Sequence, residues 1–266
     1  MKRLTLSILP LLLLLLNAAA ADTTYQPFVL ASVSDTGLEE QTAATAEALQ
    51  AAGFTIAGQY AVLPGANVLV VTNETLENIA AQTPEGGYGV GQRVSIAERN
   101  GQTEVAFINP LYIQYAYRMD GDLQPVYDAL SEALGNQETF GAEKKMTAKK
   151  LGKYHYMIGM PRFDDPSELA SFASYEEAIA AVEAGLAREG DGLTEIYRID
   201  IPGKNQTVFG IGMNAANDSK EQIDIDAAHQ LAIVDFDGHA KVAYFPYELL
   251  VSDGDVEALH MRFRMA

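Results

Sequence analysis

The sequence of 266 residues contains no cysteine and no tryptophan, and only 18 of its residues are lysine or arginine. Without cysteine the chain can form no disulfide and no zinc–thiolate centre, and it offers no thiol to a lipid anchor or to nucleophilic catalysis. Asp and Glu number 36, so the formal net charge is −18. Binding to nucleic acid or to an anionic lipid surface depends on basic side chains that displace counterions, so the sequence disfavours both partners.

Short catalytic motifs are also missing. The sequence contains no G-x-S-x-G elbow, no H-E-x-x-H zinc motif, no phosphate-binding loop and no G-x-G-x-x-G after a predicted strand. Its four histidines are spread along the second half of the chain. The cofactor is therefore unknown, and the sequence favours a non-catalytic protein over an enzyme.

The N-terminus has the three parts of a secretory signal peptide in the right order. Lys2 and Arg3 are followed by an uncharged apolar run from Leu4 to Leu16 and by alanines up to Ala21. This run is shorter than the ~20 residues that a membrane-spanning helix needs. We expect residues 1–21 to be removed, so that a soluble mature protein with no stable membrane anchor is periplasmic or secreted.

Two halves of the remaining chain resemble each other at an offset of 137 residues. The paired segments, in chain order, are Glu39–Gly53 with Glu176–Gly190, Pro64–Asn67 with Pro202–Asn205, Asn100-Gly101 with Asp237-Gly238, Val105–Phe107 with Val242–Tyr244, and Asp120–Leu123 with Asp253–Val256. Each match is short, but all five recur in the same order. The sequence therefore predicts two diverged copies, at 22–138 and 154–266, joined by a basic linker at 139–153.

Each copy is predicted to be an α+β unit. The elements expected in the first copy are a strand at Phe28–Val33, a helix at Leu38–Ala52, a hairpin at Thr55–Thr72, a short helix at Glu74–Ala81, a hairpin at Tyr88–Asn109 and a helix at Asp122–Leu134. The second copy is expected to begin with a strand at Tyr154–Met160 and to close with a short helix after Asp255. Such a βαββ(α)ββα order predicts two tandem two-layer units, each an antiparallel sheet covered by helix.

This order resembles a known family. The helix–glycine–hairpin segment Ala43–Ala61 and the run Val68–Asn73 are similar to those of a bacterial domain-of-unknown-function family with the TATA-binding-protein-like βαββββα fold. The resemblance covers the first copy best and the second more loosely. It implies a fold, but the family's motifs are structural and carry no catalytic residues to this sequence.

Basic residues are concentrated at the joint between the two copies. Six of them fall within 19 positions: Lys144, Lys145, Lys149, Lys150, Lys153 and Arg162. One interpretation is that this segment only ties two acidic domains together by attraction. The other is an anion-binding rim, for which we take Lys149, Lys150 and Arg162 as candidate ligand-binding residues.

The predicted strand after the joint supplies further candidates. Tyr154, His155 and Tyr156 are candidate ligand contacts, and strand alternation puts His155 and Met157 on one face. Imidazole and thioether suit copper(I) or an iron centre, so this pair is a candidate, incomplete metal site. A packed core histidine beside packing methionines is the alternative that the composition favours.

A second aromatic segment lies at 109–119. If this segment is extended, Tyr115 and Tyr117 share one face and Arg118 lies on the other. Tyrosine supplies apolar area and one hydrogen bond, which suits a ligand cavity. These three are therefore candidate ligand contacts, with half-buried strand residues as the alternative.

Together these features predict an exported protein that binds a small molecule, with an anion as one candidate, in a cavity between helix and sheet or between the copies. An enzyme of hydrolase type, with Asp, His and Tyr groups that converge only in three dimensions, is the alternative from another class. A protein-partner-binding module is the third. A cavity that combines His155 or Tyr115 with carboxylates would favour the enzyme, and a broad exposed apolar patch would favour the partner module.

Overall fold

The computed structural model describes residues 23–155, 157, 159–235 and 238–260. The predicted signal peptide at 1–21, Tyr156 and Asp237 lie outside the described residues. The described part is a mixture of helices and antiparallel sheets, which confirms the predicted α+β class.

The elements are numbered in chain order. The strands are β1 (Thr24–Tyr25), β2 (Phe28–Ser34), β3 (Thr55–Leu63), β4 (Ala66–Thr72), β5 (Gln92–Arg99), β6 (Gln102–Ile108), β7 (Glu138–Phe140), β8 (Met146–Thr147), β9 (Pro166–Ser171), β10 (Leu193–Asp200), β11 (Gln206–Met213), β12 (Tyr247–Ser252) and β13 (Asp255–Leu259). The helices are α1 (Leu38–Ala51), α2 (Glu74–Gln82), α3 (Gly87–Val90), α4 (Pro110–Ala116), α5 (Gln124–Leu134), α6 (Ala148–Leu151), α7 (Tyr175–Leu186), α8 (Lys220–Ile225) and α9 (Ala227–Val234), with a 3-10 turn at Val242–Tyr244.

The first sheet has the order β3-β4-β5-β6-β2-β7. Local sequence signals explain its connections. Asn73 begins α2 by accepting a hydrogen bond from the backbone N–H of Leu76 at 3.0 Å, as an N-cap asparagine does. Asn100 and Gly101 have φ of 52° and 81° in the β5–β6 turn, the positive values that a tight hairpin requires. The predicted first strand, first helix and both hairpins of this half are confirmed.

The second sheet has the order β10-β11-β12-β13-β9. In the first sheet β2 lies beside β6, the fifth strand counted from β2, and α1 follows β2. In the second sheet β9 likewise lies beside β13, the fifth strand counted from β9, and α7 follows β9. The duplication itself and the copy boundaries at 22–138, 139–153 and 154–266 stay predictions.

Different parts of the chain cover the two faces of the first sheet. The amide of Asn67 on β4 donates to Thr42 Oγ1 on α1 at 3.2 Å, so α1 lies on the face of Asn67 and its strand partner Ile96. Arg93 is three positions from Ile96 and therefore points to the opposite face, where it meets Glu248 on β12. The first sheet is thus a middle layer between its own helix and the second half of the chain.

Contacts between the halves also use small residues and a lysine. A Cβ on Gly58 of β3 would lie 2.4 Å from the carbonyl oxygen of Ile196 on β10, so only glycine leaves room for this close approach. Lys204 donates to the carbonyl oxygens of Ala80, Thr83 and Pro84 at the end of α2, where a cation complements the negative end of the helix dipole. Lys204 therefore attaches the second half of the chain to the C-terminal end of α2 by hydrogen bonds.

Three sequence-based expectations are wrong. Residues 110–116, expected to be extended, form α4 because Pro110 at its first turn follows Asn109, whose side chain caps the helix. Tyr154, His155, Met157, Gly159 and Met160, the described residues of a predicted strand, form none, and the first strand after the joint is β9.

The third wrong expectation concerns the chain end. The segment after Asp255 is strand β13 rather than a helix, because Asp253, with φ of 51°, and Gly254 make the turn of the β12–β13 hairpin. Among the described residues, Gly238 likewise lies between α9 and the 3-10 turn rather than between two strands. Gly101 and Gly238, which the sequence comparison paired, therefore do not lie at equivalent positions in their halves.

In the part of the chain that the structure describes, no helix is both long enough and apolar enough to cross a membrane.

Candidate functional site

The joint between the halves forms an open cavity of about 1280 Å³, which we call the basic pocket. Its lining includes Glu143, Tyr154, His155 and Phe163. It also includes five lysines: Lys144, Lys145, Lys149, Lys150 and Lys153. Four of the candidate ligand contacts, Lys149, Lys150, Tyr154 and His155, thus line one pocket, although the last two were expected on a strand. Their role in binding stays a prediction.

The walls of this pocket are held by the start of the described chain. Gln26 donates from Nε2 to the carbonyl oxygen of Ala142 at 2.8 Å, and Tyr25 pairs with Met146 in the small β1–β8 sheet. Gly141 has a φ of 104°, and a Cβ there would lie 2.5 Å from the ring of Phe28. The lysine-bearing loop is therefore attached to the first sheet.

The lysines themselves are exposed and lack acidic partners. Thr147 Oγ1 accepts from the backbone N–H of Lys150 at 3.4 Å and begins α6, while Leu151 is buried and anchors it. Lys149 and Lys150 therefore project from the surface of this short helix. Among the ion pairs that join described residues, none includes any of the five lysines. No ion pair with an acidic residue in the described ranges therefore compensates their charges.

An aromatic wall backs the pocket. The rings of Tyr154 and Phe163 are stacked with centroids 5.0 Å apart and planes 15° apart. Phe163 is buried and meets Tyr112 on α4 in an edge-on contact at 6.1 Å. Packing of this kind fixes the ring orientation, so Tyr154 gives the pocket a preset apolar surface.

His155 is held in a single orientation. Its Nδ1 lies 2.8 Å from the carbonyl oxygen of Met160, and Arg162 Nε lies 3.4 Å from its Nε2. Since Arg162 can only donate, Nε2 accepts and Nδ1 carries the proton. Arg162 thus acts behind His155 rather than in the lining.

The candidate metal pair is not assembled into a fuller site. Both ring nitrogens of His155 already have partners, and Met157 is 61% exposed. Within the described ranges, no group of three or more His, Cys, Asp or Glu side chains has the arrangement of a metal site. Metal binding by His155 and Met157 stays a prediction.

The remaining candidates lie elsewhere. Arg118 donates from Nε to Asp164 at 2.6 Å and also contacts Asp165, so an internal ion pair occupies it. Tyr115 packs on Tyr25 with ring centroids 5.0 Å apart. Tyr117 is buried in the interior. None of these three residues is part of the lining of the basic pocket.

Tyr117 belongs to a second region, a buried polar cluster of Arg93, Tyr117, Tyr197 and Glu248. Arg93 Nη1 lies 3.2 Å from Glu248 Oε1, and the Tyr197 hydroxyl donates to the same oxygen at 2.6 Å. Tyr117 is hydrogen-bonded to Arg93. Arg93 and Glu248 are 2% and 0% exposed and come from different sheets. This cluster therefore links the two halves.

Burial controls protonation in the buried polar cluster. It raises the pKa of Tyr117 and Tyr197 above the usual tyrosine range, so both phenols stay neutral. Burial also raises the pKa of Glu248, which Arg93 opposes. For Arg93 burial is the largest influence and acts to lower the pKa, but its partners, Glu248 first among them, together outweigh burial and the pKa is raised. The charges of the pair are compensated internally.

A carboxyl pair lies at the same interface. Burial, followed by a hydrogen bond with Glu85, raises the pKa of Glu257 on β13 to about 8. The hydroxyl of Tyr88 is buried nearby, and the two carboxyl groups contribute to raising its pKa after burial itself. The carboxyl group of Glu257 therefore retains its proton at neutral pH.

Sequence reasoning missed the buried polar cluster and the carboxyl pair. A charged residue inside an apolar strand run, as in Gln92-Arg93-Val94 and Tyr247-Glu248-Leu249, was the available signal. It could not show that the two charges meet, because 155 positions separate them in the sequence.

Comparisons with known proteins identify a fold neighbour. No family model matches the chain, and no curated protein matches it. Among solved structures the chain is similar to the uncharacterized conserved protein DUF302 from Bacillus stearothermophilus, at 17% sequence identity and a TM-score of 0.35. The match covers 39% of this chain and 92% of that one. The neighbour is a protein of a domain-of-unknown-function family, and the TATA-binding-protein-like fold stays a prediction.

Proposed function

We propose that this protein is an exported, non-catalytic binding protein that holds a small anionic molecule in the basic pocket. One observation carries the proposal: five lysines, with no acidic partner among the residues that the structure describes, line a cavity of about 1280 Å³ in a chain of net charge −18. Most of the acidic surface repels anions. A local positive region therefore concentrates anions at this position.

The arrangement of the lysines supports a binding role. Lys149 and Lys150 are adjacent, and the other three lie within 144–153, so their like charges repel one another. Nearby carboxylates would relieve this repulsion if the joint only attracted its own acidic domains. Glu143 is the acidic residue of the lining. A bound anion would supply the missing negative charge.

The lining favours binding over hydrolysis. A hydrolase site needs a general base with a free lone pair near a nucleophile or a water site. The pocket does combine His155 with one carboxylate, Glu143, but both nitrogens of His155 are already bonded, and Glu85 and Glu257 lie outside the lining. The pocket therefore has groups that attract an anion but not the arrangement that would cleave one.

Isothermal titration with inorganic phosphate, citrate and tripolyphosphate tests this function. The variant is Lys149→Gln with Lys150→Gln, and the control is Arg188→Gln with Lys220→Gln, which removes two exposed charges elsewhere. We expect the pocket variant to bind at least one anion roughly 25-fold more weakly than wild type, because each of the two lost charge pairs is worth about 1 kcal/mol, or about fivefold, in water.

The control variant should bind within about twofold of wild type, since distant exposed charges are screened by salt. Equal weakening in both variants would mean that only the overall charge matters. No binding of any of the three anions to wild type would remove the proposal.

Export is the second part of the proposal and rests on the sequence of residues 1–21. Its test is the intact mass of the protein recovered from a periplasmic extract or from the medium. A mass that matches a chain beginning at Asp22 supports export with cleavage of the signal peptide. A full-length product retained inside the cell would contradict it.

We also infer that the two halves are diverged copies of one unit with the TATA-binding-protein-like fold. The shared strand order and the helix after the first strand support this inference. Most of the basic pocket lining lies between β7 and β9, outside the two five-strand arrangements. On this inference the binding function belongs to the joint rather than to either copy.

A further inference from the structure

We propose that the ligand of the basic pocket is a multivalent anion, a small molecule with roughly three or more negative charges to match its lining. This inference rests on the proposed function and names the ligand class.

The first argument is the charge of the lining. Five lysines face one carboxylate, Glu143, so the lining has a large positive excess. His155 carries its proton on Nδ1 and accepts at Nε2, so it adds no charge in this arrangement. A monovalent anion would leave most of the lysine charge uncompensated, whereas a multivalent anion can approach several ammonium groups at once.

The second argument is the type of cation. An arginine guanidinium recognises a single carboxylate or phosphate by a planar pair of hydrogen bonds, whereas a lysine ammonium is a flexible point charge with three rotatable donors. The cations of the pocket lining are lysines. The nearby arginines have other partners: Arg118 donates to Asp164, and Arg162 donates to His155. Recognition through lysine depends on the number of ligand charges more than on their exact geometry.

The third argument is size. Small-molecule sites typically have volumes of about 300 to 1000 Å³, and this open cavity has about 1280 Å³. A single phosphate or acetate ion would fill a small part of that volume and reach few of the lysines. An elongated anion with several charged groups can span them.

Titration with a charge series tests the inference. We would measure the affinities of inorganic phosphate, pyrophosphate and tripolyphosphate in metal-free buffer at one pH and ionic strength. The expected affinity rises roughly fivefold for each added charge, the factor for one charge pair about 4 Å apart in water. The affinity of tripolyphosphate should also fall most steeply as salt is added.

A variant that removes a negative charge from the lining tests whether the charge dependence of binding arises in the basic pocket. Glu143→Gln removes the carboxylate of the lining, and we expect it to raise the tripolyphosphate affinity by up to about fivefold. Glu47→Gln makes the same change on the exposed face of α1, and its affinity should equal that of wild type.

The outcomes separate this inference from the proposed function. If the three phosphates bind equally and Glu143→Gln has no effect, while Lys149→Gln with Lys150→Gln still weakens binding, the multivalent ligand class is wrong and the anion-binding function stands. If no anion binds, both proposals fail. A rising series with an effect of Glu143→Gln supports both.

Discussion

The basic pocket and the buried polar cluster use charge in opposite ways. In the pocket, five lysines are exposed to solvent and lack acidic partners among the described residues. In the cluster, Arg93 and Glu248 are almost fully buried and compensate each other, with two tyrosines as additional hydrogen-bond partners. The difference separates a region available to a ligand from a region that fixes the fold.

The physical reason is the cost of desolvation. A lysine in water keeps its hydration, so an unpaired ammonium group costs little there and can exchange water for a ligand. A buried charge loses that hydration and needs a partner of opposite charge with good geometry. Charge that the fold compensates internally is therefore structural, whereas exposed charge without an internal partner is available to a ligand.

The largest expected effect comes from breaking the buried pair. Arg93→Met leaves Glu248 as an uncompensated buried charge, and we expect it to lower the free energy of unfolding by about 3 kcal/mol or more. Urea denaturation at pH 7.5 measures this change. Anion affinity of the folded protein should be unchanged, because the cluster lies outside the pocket lining.

A second substitution tests the cause of that loss. Glu248→Gln added to Arg93→Met removes the charge and keeps an acceptor for the Tyr197 hydroxyl, so most of the lost stability should return. If the double variant is as unstable as the single one, lost packing of the Arg93 side chain rather than uncompensated charge is responsible.

An intermediate effect is expected at the carboxyl pair. Burial and the hydrogen bond with Glu85 raise the pKa of Glu257 from 4.5 to about 8 in the folded protein. The folded state therefore binds more protons than the unfolded state between these values, and the stabilisation present below pH 4.5 is lost as pH rises through 8. Glu257→Gln should abolish this loss.

Thermal unfolding at pH 5 and pH 9 measures the difference. Because Glu257 is only partly buried, solvent screens much of the interaction, and we expect wild type to lose on the order of 1 kcal/mol relative to Glu257→Gln across this range. Glu189→Gln, an exposed change, should follow wild type at both pH values. An equal change in stability between pH 5 and pH 9 for all three proteins would contradict the raised pKa of Glu257.

The smallest effect on stability is expected in the basic pocket. Lys149→Gln with Lys150→Gln removes two exposed charges, neither of which forms an ion pair with another described residue. The free energy of unfolding should therefore change by less than about 0.5 kcal/mol. Chemical denaturation checks this. A slight gain would fit relief of like-charge repulsion, whereas a loss above about 1 kcal/mol would mean that the lysines tie the halves together.

Local signals in the sequence predicted most of the first half. The expected helix at Glu74–Ala81 corresponds to α2, and the Asn100-Gly101 dipeptide predicted a tight hairpin, because caps and turns depend on neighbouring residues. The same kind of signal failed after Asp253, where a turn dipeptide was matched to the wrong element. It also failed at 110–116, where Asn109-Pro110 begins a helix.

The candidate site was predicted in part for the same reason. The density of lysine in 144–153 is a property of the sequence, so Lys149 and Lys150 were found, and Tyr154 and His155 follow directly in the chain. Tyr117 and Arg118 could not be assigned correctly, because their partners Arg93 and Asp164 lie far away in the sequence.

The sequence by itself therefore determined the α+β class, most first-half elements and the local concentration of positive charge. All of these depend on residues that are close along the chain. Only the tertiary structure decided that Arg93 meets Glu248, that the pKa of Glu257 is raised and that the lysines have no acidic partner in the described part of the chain. These outcomes depend on burial and on contacts across the two sheets, which local propensity does not encode.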